Sequence, residues 1–303
     1  MKLRFDRAAR RIWKDRAMST AALACVVVAL VPLGSILFTA ASQGIQSLNP
    51  GFFTSAVPPP CGSASTETCT PGGVGNAIEG TLVLVGLASL VAMPVGVLAG
   101  IYLSEYGNNR LGRGVRFFVD VMLQIPSIVV GIFAYTLIFE LGRAGWTDPR
   151  SVFSTLTGVL ALATIMVPII ARTSEEALKL VPNATREAAL ALGLPKHRVI
   201  TGVVLGSARS GLVTGALLGV ARVSGETAPL IMTAFGSPYF FQGLNQPIAA
   251  MPLVIYTFGL SPYPNWQHLA WGAAFVLVLM MLGISVVSRL ALRGRFSLAE
   301  VAR

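Results

Sequence analysis

Six runs of this chain, 17–41, 80–103, 119–139, 152–171, 212–235 and 269–287, are apolar on all sides and about as long as a bilayer is thick. A helix needs about 20 residues to cross ~30 Å of hydrocarbon. Backbone polar groups find no water in that layer, so only helices or closed barrels can span it. Barrel strands alternate apolar and polar residues, and these runs do not. The predicted fold class is therefore an all-α integral membrane protein with six transmembrane helices. Composition agrees: 54% of residues are hydrophobic and 12% charged, against about 25% charged in soluble domains.

The positions of Lys and Arg set the orientation. Lys2, Arg4, Arg7, Arg10, Arg11, Lys14 and Arg16 precede the first run, and the following loop, 42–76, has neither residue type. Arg110, Arg113 and Arg116 follow the second run, and a mixed loop follows the third. Arg172, Lys179, Arg186, Lys196, Arg198 and Arg209 follow the fourth, the loop 236–266 is uncharged, and Arg289, Arg293, Arg295 and Arg303 close the chain. Basic and non-basic loops alternate, so both termini are expected in the cytoplasm. A net charge of +10 confined to such loops orients the chain and does not call for a nucleic-acid partner.

The N-terminus begins like a signal peptide, but 17–41 is a full span where a signal core has ~7–15 residues. The expected organisation is a basic cytoplasmic N-terminus (1–16), a first transmembrane helix (17–41), an extracytoplasmic loop (42–76), a transmembrane domain (77–288) with a long cytoplasmic loop (172–209), and a basic tail (289–303). The segment 248–260 is apolar but short and contains Pro252. Its crossing would carry the final arginines outward, so it is expected as an interfacial or re-entrant element on the outside.

Motifs for enzymatic chemistry are missing. No GxxxxGK[ST], HExxH or GxSxG occurs, and His197 and His268 stand apart. Cys25 lies in an apolar run, where it is expected to pack as a small hydrophobe. Cys61 and Cys69 share a polar, Pro-rich loop without metal-ligand spacing; a disulfide between them depends on that loop facing an oxidising compartment.

Loop 172–209 is far longer than the ~2–8 residues that join two helices. Thr173-Ser174-Glu175-Glu176 reads as a helix start, with a hydroxyl cap and first-turn acids. Pro182 and Asn183 break that helix, and 184–192 reads as a second one, ended by Gly193 and Pro195. Two short helices around a turn would be either a folded connector on the membrane surface or a docking element.

Arg222 and Glu226, spaced i, i+4 in the fifth run, can pair on one helical face. A charge at that depth costs ~2.5–3.5 kcal/mol on insertion scales. The pair is either a structural ion pair or an anion route, in which the Arg fork matches a tetrahedral oxyanion. Gly211, Gly215 and Gly219 permit close helix contact, within this chain or with another subunit. Asp120, Gln124, Glu79 and Glu140 lie near helix ends, where hydration alone explains them.

Glu187-Ala188-Ala189, with Gly193 four residues on and Val203 and Leu205 beyond, resembles the EAA loop of bacterial binding-protein-dependent ABC importer permeases. Val203 replaces the usual Ile, and Gly206 stands where that pattern has Pro. Gly72-Gly73-Val74-Gly75-Asn76-Ala77-Ile78 with Gly80-Thr81, Arg172-Thr173-Ser174-Glu175-Glu176 and Ala221-Arg222-Val223-Ser224-Gly225-Glu226-Thr227-Ala228-Pro229 are similar to the phosphate permeases of that family. The resemblance implies a type I importer permease fold in the bacterial cytoplasmic (inner) membrane. It implies a second permease subunit, an ATPase dimer that binds ATP and Mg, and a phosphate-binding protein as partners, with no cofactor held by this chain. Glu187, Ala188, Ala189 and Gly193 would shape the ATPase contact, and Arg222 and Glu226 would line a phosphate route. The alternatives are a permease of the same build for sulfate or molybdate, or an ATP-independent channel or carrier.

Overall fold

The computed structural model describes residues 2–59, 72–146 and 151–300, with side chains described for 11–59, 72–146 and 151–286. Among these residues the regular structure is helical, apart from one isolated parallel bridge between Phe235 and Ile248. Cys61 and Cys69 lie outside the described residues, with the rest of 60–71 in the expected loop 42–76.

The first helix, α1 (Lys2–Ser47), is longer than 17–41 at both ends. Nothing in 2–16 breaks a helix, and its Ala, Arg and Lys residues favour one, so the basic N-terminus continues the span instead of forming a separate tail. Cys25 is exposed on this helix and therefore packs into no protein core. A short α2 (Pro50–Thr54), capped by the Asn49 side chain on the Phe52 N–H, leads toward α3 (Gly75–Glu105).

The third expected span is not one helix. It divides into α4 (Arg110–Gln124) and α5 (Ser127–Arg143), bent by 107° at Ile125-Pro126. Pro126 lacks the N–H that would continue the ladder and pushes Ile125 into extended backbone. Among the described residues five helices are long and apolar enough to span, and six if this bent pair counts as one. An even number of crossings leaves both ends on one side.

The core is built on α3 and α6 (Thr155–Lys179), which run parallel. Gly96 meets Ile170 and Gly100 meets Ser174, each four residues further along both helices, and Leu84 lies over Gly158. Missing Cβ atoms let the two backbones approach, so the pair slides into one fixed register. The centre is sealed by Leu84, Ala88, Leu162, Met166, Ile170 and Val223.

Helix α6 runs through Thr173-Ser174-Glu175-Glu176 without a break, so no new helix starts there. The Thr173 hydroxyl bonds back to the Ile169 carbonyl instead of capping. Of the two expected short helices only the second exists on its own, as α7 (Asn183–Ala191). A short α8 (Lys196–Arg198) and a π-helical turn, Val199–Val204, then feed α9 (Leu205–Ser224). The fifth span therefore begins and ends earlier than 212–235. It is followed by a single turn, α10 (Ala228–Ile231).

On the outer side, α11 (Met251–Gly259) has nine residues, too few to cross. Its first N–H, from Met251, donates to the Thr81 hydroxyl at 2.8 Å. Gly80 sits directly against the Ala249 carbonyl, leaving no room for a side chain. The glycine-rich entry to α3 thus seats the neighbouring outer segments. The last helix, α12 (Pro264–Glu300), packs along α1 and α11 and extends into the expected tail.

Candidate functional site

Two places carry the residues singled out in the sequence: the cytoplasmic end of the α6–α9 hairpin and the outer end of α9.

At the cytoplasmic end, Pro182 opens α7 and Gly193 closes it with φ +77°, its N–H donating to the Leu190 carbonyl at 2.9 Å. A left-handed residue at that point is what glycine allows at little cost. The residues expected to shape an ATPase contact then separate by face. Ala189 is buried with Leu178, Val181, Val199 and Val204, while Glu187 and Ala188 are exposed. Leu180, Leu190 and Leu192 are exposed beside them, Leu192 to 82%. These leucines lie beyond the basic end of α6, so large apolar side chains are exposed on the cytoplasmic side of this end of the chain.

Sequence reasoning missed the centre of charge at this end. Glu175 has a side chain with 0% exposure. It accepts from Arg116 Nε on α4 at 2.6 Å, from Lys179 Nζ at 2.5 Å and from Arg172 at 3.4 Å. Arg116 also donates to the carbonyls of Leu103 and Gly107 at the end of α3. Arg172 further reaches Glu176 at 3.1 Å and Asp120 at 3.9 Å. The available signal was spacing: Glu175 lies three residues after Arg172 and four before Lys179, which marks a helix interior better than a first turn. Glu79, taken as a hydrated end residue, accepts from the Phe241 N–H of the outer loop at 3.1 Å.

At the outer end, Arg222 and Glu226 are 3.3 Å apart but do not share a helix. α9 stops at Ser224, and Gly225 caps it. Pro229, at the start of α10, has a ring that clashes with a helical carbonyl at Gly225 and offers it no N–H, so residues 225–227 leave the helix. The Glu226 N–H turns back to the Val223 carbonyl at 3.1 Å. Non-helical backbone at membrane depth is tolerated only when buried in protein or lining an aqueous cavity.

The depth follows from packing. Gly211 lies on Ala177, Gly215 on Thr173 and Gly219 on Ile170, so the small-residue stripe packs within this chain. Continued at that spacing, Arg222 is level with Met166, and its neighbour Val223 shares a buried cluster with Met166. That is about 16 Å along α6 from Thr155 and about 9 Å from Arg172. Arg222 is thus near mid-membrane, yet its side chain is 61% exposed, while that of Glu226 is 12% exposed. A guanidinium does not stand in hydrocarbon at that depth. The arrangement offers a fixed carboxylate and a half-free fork of donors facing a space that this chain does not fill.

Residues 92–294 match the family described as "Binding-protein-dependent transport system inner membrane component". The chain is 39% identical over 290 residues to the "Phosphate transport system permease protein PstA" of Yersinia pestis, covering 95% of this chain and 93% of that protein. It is 42% identical over 288 residues to the protein of the same name from Xylella fastidiosa strain Temecula1, covering 93% and 95%. A solved bacterial alginate ABC transporter, in complex with an alginate-pentasaccharide-bound periplasmic protein, superposes with a TM-score of 0.64. Its identity is 15%, and the match covers 92% of this chain and 94% of that one. At that identity the likeness is one of fold, and it reaches nearly end to end.

Proposed function

The chain belongs to the binding-protein-dependent transport inner membrane components, and from that premise we propose that it is the permease subunit through which an ATP-driven importer moves inorganic phosphate into the cell. Two phosphate permeases of comparable length match it over more than nine-tenths of the chain. The observation that carries the reading is Arg222: a permanently charged fork, exposed at mid-depth beside a break in its helix. The fork suits a tetrahedral oxyanion. Glu226 holds it when no anion is present, or accepts the hydrogen bond of a protonated oxyanion.

In this reading a second permease subunit closes the space in front of Arg222. The exposed face of α7, with Glu187, Ala188 and the neighbouring leucines, meets a separate ATPase dimer that binds ATP and Mg. A phosphate-binding protein delivers substrate to the outer loops. ATP draws the two ATPase subunits together and moves the docking helices, and the passage opens outward; hydrolysis reverses this and releases phosphate inward. Affinity resides in the binding protein, because a passage that held phosphate tightly would not release it.

Labelled phosphate uptake at low concentration, in cells lacking the chain and after its restoration, tests this. The expected outcome is uptake that returns with the chain, stops on ATP depletion, and is competed by unlabelled phosphate but not by sulfate or molybdate. Competition by sulfate or molybdate would transfer the reading to those oxyanions, and uptake indifferent to ATP would replace it with a channel or carrier.

A further inference from the structure

One guanidinium links the docking helix to both α3 and α6. Arg186 of α7 donates from Nη2 to Glu105 Oε1 at 3.0 Å and to the Leu178 carbonyl at 2.8 Å. From Nη1 it donates to the Val181 carbonyl at 2.5 Å and to Asn183 Oδ1 at 3.2 Å. One guanidinium therefore joins α7 to the last carbonyls of α6 and to the final residue of α3. Both charged side chains are largely withdrawn from solvent, at 18% and 9% exposure. Beyond the turn, Lys196 donates to the Glu105 carbonyl at 3.3 Å and lies 4.2 Å over the Tyr106 ring. The end of α3 is thus gripped from both flanks of the docking helix.

This grip acts on a stiff object. α3 and α6 are locked in register by Gly96 and Gly100, and α9 is locked to α6 by Gly211, Gly215 and Gly219. If α7 pulled on α6 alone, the end of α3 beyond Gly100 would be drawn along only by the α3–α6 packing and by Arg116, whereas the Arg186–Glu105 bond loads both helices at once. Pulling both helices together moves them as one body, and α9 with Arg222 moves with them.

We propose that Glu105 is a positioning residue for coupling: through Arg186 it makes α3 follow the docking helix, so that ATP-driven movement reaches the passage. A contact chain is not by itself proof of coupling, and the variant must separate transmission from folding. Glu105→Ala does so, because Arg186 keeps its bonds to Leu178 and Val181 and α7 stays seated on α6. Glu105→Asp keeps the charge but shortens the reach.

The inference rests on the chain being an ATP-driven phosphate permease. The measurement is labelled inorganic phosphate transported per ATP hydrolysed, in proteoliposomes of the complete purified importer with its binding protein. Failure of the underlying reading appears in the unaltered complex, as no ATP-dependent uptake; failure of this inference appears only in the variants. The expected result is an assembled complex that still hydrolyses ATP, with phosphate per ATP lowered by about 5-fold or more in Glu105→Ala and to an intermediate degree in Glu105→Asp. An unchanged ratio in Glu105→Ala overturns the proposal. So does loss of assembly in both variants, which would make the residue purely structural.

Discussion

Two clusters built from the same residue types serve opposite ends here. Around Glu175 three cations converge on a carboxylate that solvent does not reach, and every distance is 3.4 Å or less. At the break after α9, one arginine meets one carboxylate at 3.3 Å and keeps more than half of its side chain uncovered. The first cluster joins α4, α6 and the end of α3, and its carboxylate is sealed among cations. The second joins nothing that its helix break does not already hold, and its donors are half free. Charge in or near a membrane is thus no function by itself. What separates the two is enclosure: Glu175 is sealed by cations, whereas Arg222 is left more than half uncovered beside its carboxylate.

That contrast can be broken by substitution. Arg222→Ala removes the half-free fork. Labelled phosphate uptake is expected to fall roughly 100-fold, while the protein remains in the membrane with its partners, as co-purification would show. Near-normal uptake would return the pair to a structural ion pair. Glu175→Ala should behave in the reverse manner. It leaves Arg116 partly buried without its carboxylate, and removing one partner of a buried ion pair costs about 3–5 kcal/mol. The readout is a lower thermal unfolding midpoint of the purified protein in detergent, and an unchanged midpoint would show that the cluster clamps nothing. Glu176→Gln breaks only the exposed bond to Arg172. A solvent-exposed pair contributes about 0–1 kcal/mol, so both the midpoint and uptake should stay close to the unaltered values. A large shift there would mean that Arg172 depends on Glu176 more than on Glu175.

Much of this was legible from residue order, though unevenly. The apolar runs and the alternation of basic loops carry the number of crossings, because burial in lipid is a local property of about 20 residues. Helix α7 was legible from Pro182 and Gly193, whose backbone constraints act within a turn. The pair Arg222 and Glu226 was legible as a pair, but as two residues on one helix. Pro229 contained the sign of the break, since it acts four residues back on Gly225, and apolar content alone concealed it. Pro126 broke the third run in the same way.

Glu175 shows where local reading fails. Next to Thr173 and Ser174 it looks like a helix start, but one of its three partners, Arg116, lies 59 residues away. No periodicity reports that α3 and α4 bring an arginine to that point. The glycines of α9 were similarly ambiguous until α6 was found against them.

By itself, then, the sequence determined that the chain lives in a membrane, where its apolar runs and basic loops lie, and that a short helix stands between Pro182 and Gly193. These follow from hydropathy, charge and turn chemistry summed over neighbours in the chain. Tertiary structure alone decided which acid is sealed by cations and which arginine is left open. Each of these depends on what distant elements bring within about 3 Å, the range over which a hydrogen bond acts.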